Sequence, residues 1–394
     1  MTGAVSGAAQ AVFAFSPEQH ELRAMVRKFL LDRSPESEVR RLMETELGYD
    51  EGVWALLSEN LGLPGLLVPE RFGGAGSGFV ELQIVCEEMG RALLCAPYLS
   101  SAVLATSVLL EVDDEAANQR YLPGLAAGTM RATLAITDSI GEASGEAGGE
   151  ASGGWAVDRV GTLAVADGDR YRLTGEKLYV LDGASADLLL VVARTETGPG
   201  LFAVEADADG LRRTPMTTLD ATRKQARIEL ANTPSVLIGA DGQAAGPIAA
   251  ALALTAAALA AEQAGGARRT LEMAVDYARV REQFGRPIGS YQAIKHKCAD
   301  MLLEVESSVS VAYAAGWAVD TGSDEVAVLA SMAKAYCSEA YYHCAAENIQ
   351  VHGGIGFTWE HPAHLYFKRA RSSQALLGSP RYHRELLASR LDLI

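Results

Sequence analysis

Paired cysteines are missing from this sequence. Cys86, Cys95, Cys298, Cys337 and Cys344 are odd in number, and none forms CxxC. That argues against a disulfide framework and leads us to expect a reducing, cytoplasmic setting. Metal-ligand spacing is missing too. His343-Cys344 with His352 is the nearest approach to a zinc set, and it reads as helix packing. Positive charge is scarce: 34 Lys and Arg stand against 50 Asp and Glu, a formal net charge of −16. Broad binding to a nucleic-acid backbone needs clustered cations and is not expected. One basic pocket for a phosphorylated ligand remains compatible with that balance. The first arginine is Arg23, so an ordinary secretory or mitochondrial presequence is not expected. Long apolar runs are also absent. The longest, from Pro247 to Ala261, is broken by Thr255, whereas a membrane span needs about 20 apolar residues. We expect a buried bundle helix there and no membrane partner.

What is present is a globular composition, 49% hydrophobic and 21% charged, on 394 residues. That length suits two or three domains. Residues 16–125 read as helical. Ser16-Pro17-Glu18-Gln19 combines an N-cap serine, a proline at N1 and Gln at N3. Leu22, Met25, Val26, Phe29 and Leu30 follow at helical spacing. Pro69 to Gly76 is a turn-rich break before a helix over 80–92. The period changes over 126–239. Thr133–Thr137, Arg170–Thr174, Lys177–Leu181 and Leu188–Ala193 read as short strands between turn residues. Ser139 to Gly154 is a Gly/Glu/Ser run, read as a mobile surface loop with a lid as a secondary reading. Residues 240–247 form a linker. From 247 to 394 helices are predicted near 247–280, 290–321, 324–352 and 379–391, with an interruption at Gly353-Gly354-Ile355-Gly356. Helices, then strands, then helices is not the alternation of a Rossmann fold.

Two segments carry candidate chemistry. Arg281 opens RxQFGxxI just after a helix, where Gly and Pro break the chain. A guanidinium held at such a break can clamp an anion. Phe284 could stack on an aromatic ligand, although composition alone reads it as a core side chain beside an ordinary turn. Gln350 opens QVHGG. Gly353 and Gly354 either let a ligand approach the backbone or end a helix. His352 reads as packing or a hydrogen bond.

Taken together, RVREQFGRPIGSYQAIKHKCADM and IQVHGGIGFTWEHPAHLYFKRA closely resemble the two C-terminal signatures of the acyl-CoA dehydrogenase family. LGLPGLLVPERFGGAGSGFVELQIVCEEMGRA is similar to the family's N-terminal segment. LAITDSIGEA and LTGEKLYVLDGASADLLLVVAR are similar to its middle-domain flavin segments. The resemblance implies an α+β fold with an N-terminal helical domain (1–125), a middle β-barrel or sandwich (126–239) and a C-terminal four-helix bundle (247–394). It implies FAD bound between subunits of a tetramer, an acyl-CoA substrate and an electron-accepting flavoprotein. By that resemblance Arg281 and Gln283 approach the FAD pyrophosphate and adenosine, and Phe284, Tyr291 and Gln292 line that end. Gln350, Val351, Gly353 and Gly354 reach the adenosine part of a neighbouring subunit's FAD. Thr137 touches the flavin edge, and Tyr179 offers it an aromatic face. The implied reaction is α,β-desaturation of an acyl-CoA thioester. A base takes the α-proton while a hydride leaves the β-carbon.

The base is where the chain departs from the pattern. The family's Glu-Gly pair before the last helix is matched by Leu377-Gly378, and leucine accepts no proton. A second family position falls near Thr255, among Ala253 to Ala256, again without a carboxylate. Glu262 lies two helical turns away, roughly 10 Å along the axis, and reads as a polar contact between helices. Asp182 is another acid, of unassigned reach. Leu181 replaces a family threonine beside the flavin. A positioned base contributes about 10²–10⁴ in rate. Three readings follow: a dehydrogenase with a relocated base, a base-deficient member of a mixed tetramer rather than a homotetramer, or a flavin monooxygenase of the same fold.

Overall fold

The computed structural model describes residues 14–138, 155–157 and 160–393. The start of the chain through residue 13 and the Ser139–Gly154 run lie outside the described residues, so the presequence and surface-loop readings concern segments that are not described.

Helix α1 (Pro17–Arg33) begins as its sequence dictates. The Ser16 hydroxyl accepts from the Gln19 amide, and the Gln19 side chain accepts from the Ser16 amide, a reciprocal capping box. Val26 and Leu30 face the core, while Met25 is exposed. Helices α2 (Glu36–Met43), α3 (Glu51–Glu59) and α4 (Phe79–Arg91) follow. A widened turn of helix, Tyr98–Ala105, leads into α5 (Thr106–Val112), and α6 (Glu115–Ala126) completes the first helical region.

The middle region is a sheet of β1 (Ala132–Ala135), β2 (Leu163–Asp167), β3 (Arg170–Leu181), β4 (Leu188–Arg194), β5 (Pro199–Glu205), β6 (Leu211–Pro215) and β7 (Gln225–Ile238). Pairings β4–β5–β7–β3–β2 return to β4 through Leu163 and Arg194, so the sheet curls into a barrel. The two runs read separately at 170–174 and 177–181 are one strand, β3. Register shifts against β7 fall between Leu173 and Gly175 and between Lys177 and Val180. Such bulges bend a strand and re-aim its side chains, which explains why the alternation looked broken. On β4, Leu189, Val191 and Ala193 fill the barrel with Phe202 and Ile228, while Leu188, Leu190 and Val192 pack outward on the helices.

The last region is built on α7 (Ala245–Val280). A two-stranded hairpin, β8 (Glu282–Gln283) and β9 (Arg286–Pro287), leads to α8 (Gln292–Asp320), α9 (Val326–His352), α10 (Ala363–Ala375) and α11 (Pro380–Arg390). The sequence reading has four helices here; the structure has five. The missed one, α10, buries Leu365, Tyr366, Arg369, Ala370 and Ser373. Its spacing is helical, but Arg and Ser on the buried face disguise the apolar period. By length and composition α7 could cross a membrane. Instead, every residue from Thr255 to Ala267 is buried within the protein.

Close packing of α4 on α7 places the site. A side chain at Gly90 would overlap the Glu262 carbonyl, and one at Gly265 would overlap the Glu87 carbonyl. The two glycines face each other's helix, so the backbones meet with no side chain between them. Gln83 on α4 then donates to the carbonyls of Ala257 (3.1 Å) and Ala312 (2.8 Å), tying α4 to α7 and α8. One hydrophobic cluster runs through α4, the outer face of β4 and Ala256–Ala261 of α7.

Candidate active site

The motif residues form two groups. The first lies at one end of the helical bundle. Arg281 ends α7, its amide donating to the Tyr277 carbonyl at 2.8 Å. Phe284 and Gly285 turn the hairpin with φ of 55° and 76°. A two-residue hairpin turn with both residues at positive φ favours Asn and Gly, and an aromatic residue there is strained. Phe284 is 94% exposed, so the core placement suggested by composition is wrong. The chain tolerates an unfavourable backbone to hold a phenyl ring in the open. Tyr291 donates to the Gln283 carbonyl at 3.0 Å, and the Arg286 guanidinium lies over its ring at 4.0 Å. Gln292 begins α8 directly after it.

The second signature ends beside the first. Tyr277 stacks on His352 with ring centroids 4.3 Å apart. His352 donates through Nδ1 to the Asn348 carbonyl at 2.8 Å, the packing role expected of it. Gln350 is exposed. Gly353 ends α9 at φ 63°, and the space above Gly353 and Gly354 is open. Val351 is buried in the second core cluster, which leaves only its backbone for a ligand. Thr137 and Tyr179 form the other group, on the sheet. The Thr137 carbonyl accepts from the Leu178 amide at 2.8 Å. Tyr179 sits at the second β3 bulge with φ 56° and is half-exposed, whereas Leu181 is packed in the core.

Leu377 and two residues of the second base segment, Ala253 and Ala256, line one cavity, while Thr255 itself does not. It measures about 290 Å³, and its walls include Ala253, Ala256, Leu377, Trp155, Tyr382 and His383. A groove of about 490 Å³ shares Ala249, Ala253 and Arg390 with it and adds Glu111 and Asp324. No Asp or Glu lines the cavity among the described residues. Another cavity of the same size, between α1, α4 and α10, contains none of the candidate cofactor-binding residues. The turn carrying Leu377 is held from two sides. His383 Nε2 lies 2.9 Å from the Leu377 carbonyl, and Lys334 Nζ donates to the Gly378 carbonyl at 3.2 Å and to Ser338 Oγ at 2.9 Å. Burial lowers the Lys334 ammonium to about 7. Neither His383 nor Lys334 was identified from sequence. Lys334 had a signal, a lone cation in an apolar helix; His383 had none.

The two acids singled out in the sequence, Glu262 and Asp182, are committed. Glu262 accepts from Arg223 at 2.6 Å and from Arg369 at 3.1 Å. Arg369 also bonds Asp220 at 2.8 Å and Thr222 at 2.6 Å. Burial disfavours the Glu262 charge, but the two guanidinium groups prevail and hold its carboxyl below the usual range. A carboxylate clamped this way is a poor proton acceptor, so the sequence reading of Glu262 as a helix-to-helix polar contact stands. Thr255 is buried with its hydroxyl donating to the Ala251 carbonyl at 2.7 Å. Asp182 has φ 50° and accepts from the Ser100 hydroxyl at 2.6 Å. Desolvation pushes it up to about 6 against that bond.

Comparison with known proteins decides the family. The description "Acyl-CoA dehydrogenase, N-terminal domain" matches residues 16–129, and "Acyl-CoA dehydrogenase, C-terminal domain" matches residues 246–391. This chain belongs to the acyl-CoA dehydrogenase family. It is an oxidoreductase acting on CH–CH groups, within lipid metabolism. Acyl-CoA dehydrogenase IpdE2 of Mycobacterium tuberculosis is 34% identical over 367 residues, 93% of this chain and 95% of that protein. Among solved structures, a variant of the Tcur3481-Tcur3483 steroid ACAD superposes with a TM-score of 0.84 at 30% identity, covering 95% of this chain and 98% of that one. The ChsE4-ChsE5 complex from Mycobacterium tuberculosis gives a TM-score of 0.86 at 28% identity, covering 97% and 99%. These neighbours share the helical, sheet and helical arrangement.

Proposed function

We propose that this chain is an FAD-dependent acyl-CoA dehydrogenase that performs α,β-desaturation as one subunit of a mixed tetramer, with a related subunit carrying the catalytic carboxylate. One observation carries the proposal. The cavity that Leu377 shares with Ala253 and Ala256 is lined without an acid. Likeness to a two-component complex supports the mixed assembly.

The residues present fit the cofactor. Arg281 offers an exposed guanidinium suited to a diphosphate. Phe284 and Tyr291 offer ring faces, and Gly353 and Gly354 leave room for close approach. Tyr179 offers an aromatic face from the sheet. FAD, when bound, supplies the hydride acceptor. The chain's own residues bind and orient. The apolar walls at Ala253, Ala256 and Leu377 exclude water from a thioester. Removal of the α-proton lacks a proton acceptor here and is slow in the lone chain. An electron-accepting flavoprotein takes the reducing equivalents onward, and the setting is cytoplasmic.

The test is anaerobic flavin bleaching with straight-chain, branched and steroid-like acyl-CoAs. The chain is assayed alone and then co-purified with a related subunit bearing the Glu-Gly pair. We expect slow bleaching alone and fast bleaching in the mixture. Fast bleaching by the lone chain removes the need for a partner. No bleaching in either case defeats the dehydrogenase reading.

A further inference from the structure

Lys177 is a lysine inside the sheet, 0% exposed, beside Thr137 and Tyr179. Its Nζ donates to the Ile136 carbonyl at 3.0 Å and pairs with the Asp138 carboxylate at 2.9 Å. Those two partners flank Thr137. The Thr137 carbonyl accepts from the Leu178 amide, and residues 138 and 177 form an isolated antiparallel bridge. One lysine side chain and a short stretch of backbone pairing therefore hold residues 136–138 along β3. Asp138 is anchored in turn by the amides of Gly161 at 2.8 Å and Thr162 at 3.1 Å.

The lysine sits where β3 is least supported on its other side. The ladder to β7 shifts between Lys177 and Val180, and Tyr179 stands in that bulge at φ 56° with its ring half-exposed. A bulge re-aims a side chain while disrupting the ladder. An ammonium taken fully out of water is costly, and an apolar side chain of similar length fills the same space without that cost. Burial lowers Lys177 to about 8, and the Asp138 carboxylate opposes the shift, so the charge persists at neutral pH. What the ammonium adds over an apolar chain is direction. Its donors are aimed at acceptors on both sides of Thr137.

We propose that Lys177 is a positioning residue for the cofactor, holding Thr137 and Tyr179 in a fixed relation so that both meet the flavin ring. This rests on the reading of the chain as an FAD protein. Lys177 has no accessible surface, so it acts only through the 136–138 segment and the bulge.

The experiment reconstitutes the full-length chain with FAD. It measures FAD affinity, the visible circular dichroism of the bound flavin and the melting temperature of the apoprotein. Wild type is compared with Lys177→Met and with Lys177→Met combined with Asp138→Asn, which leaves no unpaired charge. The single variant melts lower because Asp138 loses its cation. The double variant is expected to melt close to wild type, to bind FAD about ten-fold more weakly and to give altered flavin dichroism. Arg281→Ala is the contrast, losing affinity while the FAD that remains keeps its wild-type dichroism. Dichroism is the deciding readout, because a merely structural role lowers affinity and melting temperature together and leaves the flavin environment unchanged. Wild-type dichroism in the double variant, with or without weaker binding, overturns the inference. Wild type that takes up no FAD overturns the cofactor reading and the inference with it. If the double variant does not fold, a crystal structure of wild type with FAD decides. A flavin ring in contact with both Thr137 and Tyr179, with the Lys177 bonds kept, is expected. A ring that misses either residue overturns the inference and leaves the cofactor reading standing.

Discussion

The exposed end of the bundle and the buried cavity beside Leu377 solve opposite problems. At the bundle end, Arg281, Phe284, Gln350, Gly353 and Gly354 are held out of the core, partly on strained backbone. Among the described residues the Phe284 ring meets Tyr291 edge-on at 6.5 Å and still stays exposed at positive φ. Leu376, Leu377 and Gly378 are buried, and His383 and Lys334 bond inward to the turn. One region keeps the residue types of its family and awaits something from outside. The other is a cavity that presents no carboxylate. Binding and chemistry can therefore diverge within one fold.

The largest effect expected on this contrast comes from Leu377→Glu. Restoring a carboxylate to the cavity should raise the rate of bleaching by a matched acyl-CoA about 10²-fold or more. A rate unchanged across the whole substrate panel would show that the cavity is not where the α-proton leaves. Arg369→Ala should come next. It leaves buried Asp220 without its guanidinium and Glu262 with Arg223 alone, and should cost about 3 kcal/mol in chemical denaturation. A loss below about 1 kcal/mol would mean the network is far better hydrated than its burial implies. Arg281→Ala tests the other region. It should lower FAD retention on gel filtration by about ten-fold in affinity, with little change in melting temperature, because the side chain is exposed. Full retention would remove the clamp assignment.

The smallest effect is a slope. Asp182 is raised to about 6 in the folded protein. Between its unfolded value near 4 and 6 the folded state holds a proton that the unfolded state has released. Stability from this group is therefore complete at low pH and falls as pH rises through that window. Asp182→Asn, which tolerates the positive φ, should flatten the fall in melting temperature over that range. An unaltered slope would reassign the titration to another group.

Some of this was legible because particular residue types leave few options. Ser16-Pro17 with Gln19 could only start a helix, and the Arg281 and Gln350 signatures pointed to the family and its fold. Other parts were hidden for physical reasons. Helix α10 escaped because Arg369 and Ser373 occupy its buried face, where a period search counts them as exposed. The bulges in β3 broke an alternation that is continuous in space. Phe284 was given to the core because hydrophobicity carries no information about backbone strain. Gly90 and Gly265 lie far apart in the chain, and only their helices' crossing reveals that neither can bear a side chain.

Local chemistry was written in the residues themselves: caps, turn formers, the loss of an acid at 377 and near 255. These are properties of identity and short-range order, which a linear chain carries fully. Which groups share a cavity depends on distances between segments more than a hundred residues apart. Tertiary packing alone brought Leu377 to Ala253 and Ala256, bound Glu262 to two arginines, and left one nitrogen of His383 without a partner. The reason is that a side chain's protonation and availability are set by the neighbours and burial that folding imposes.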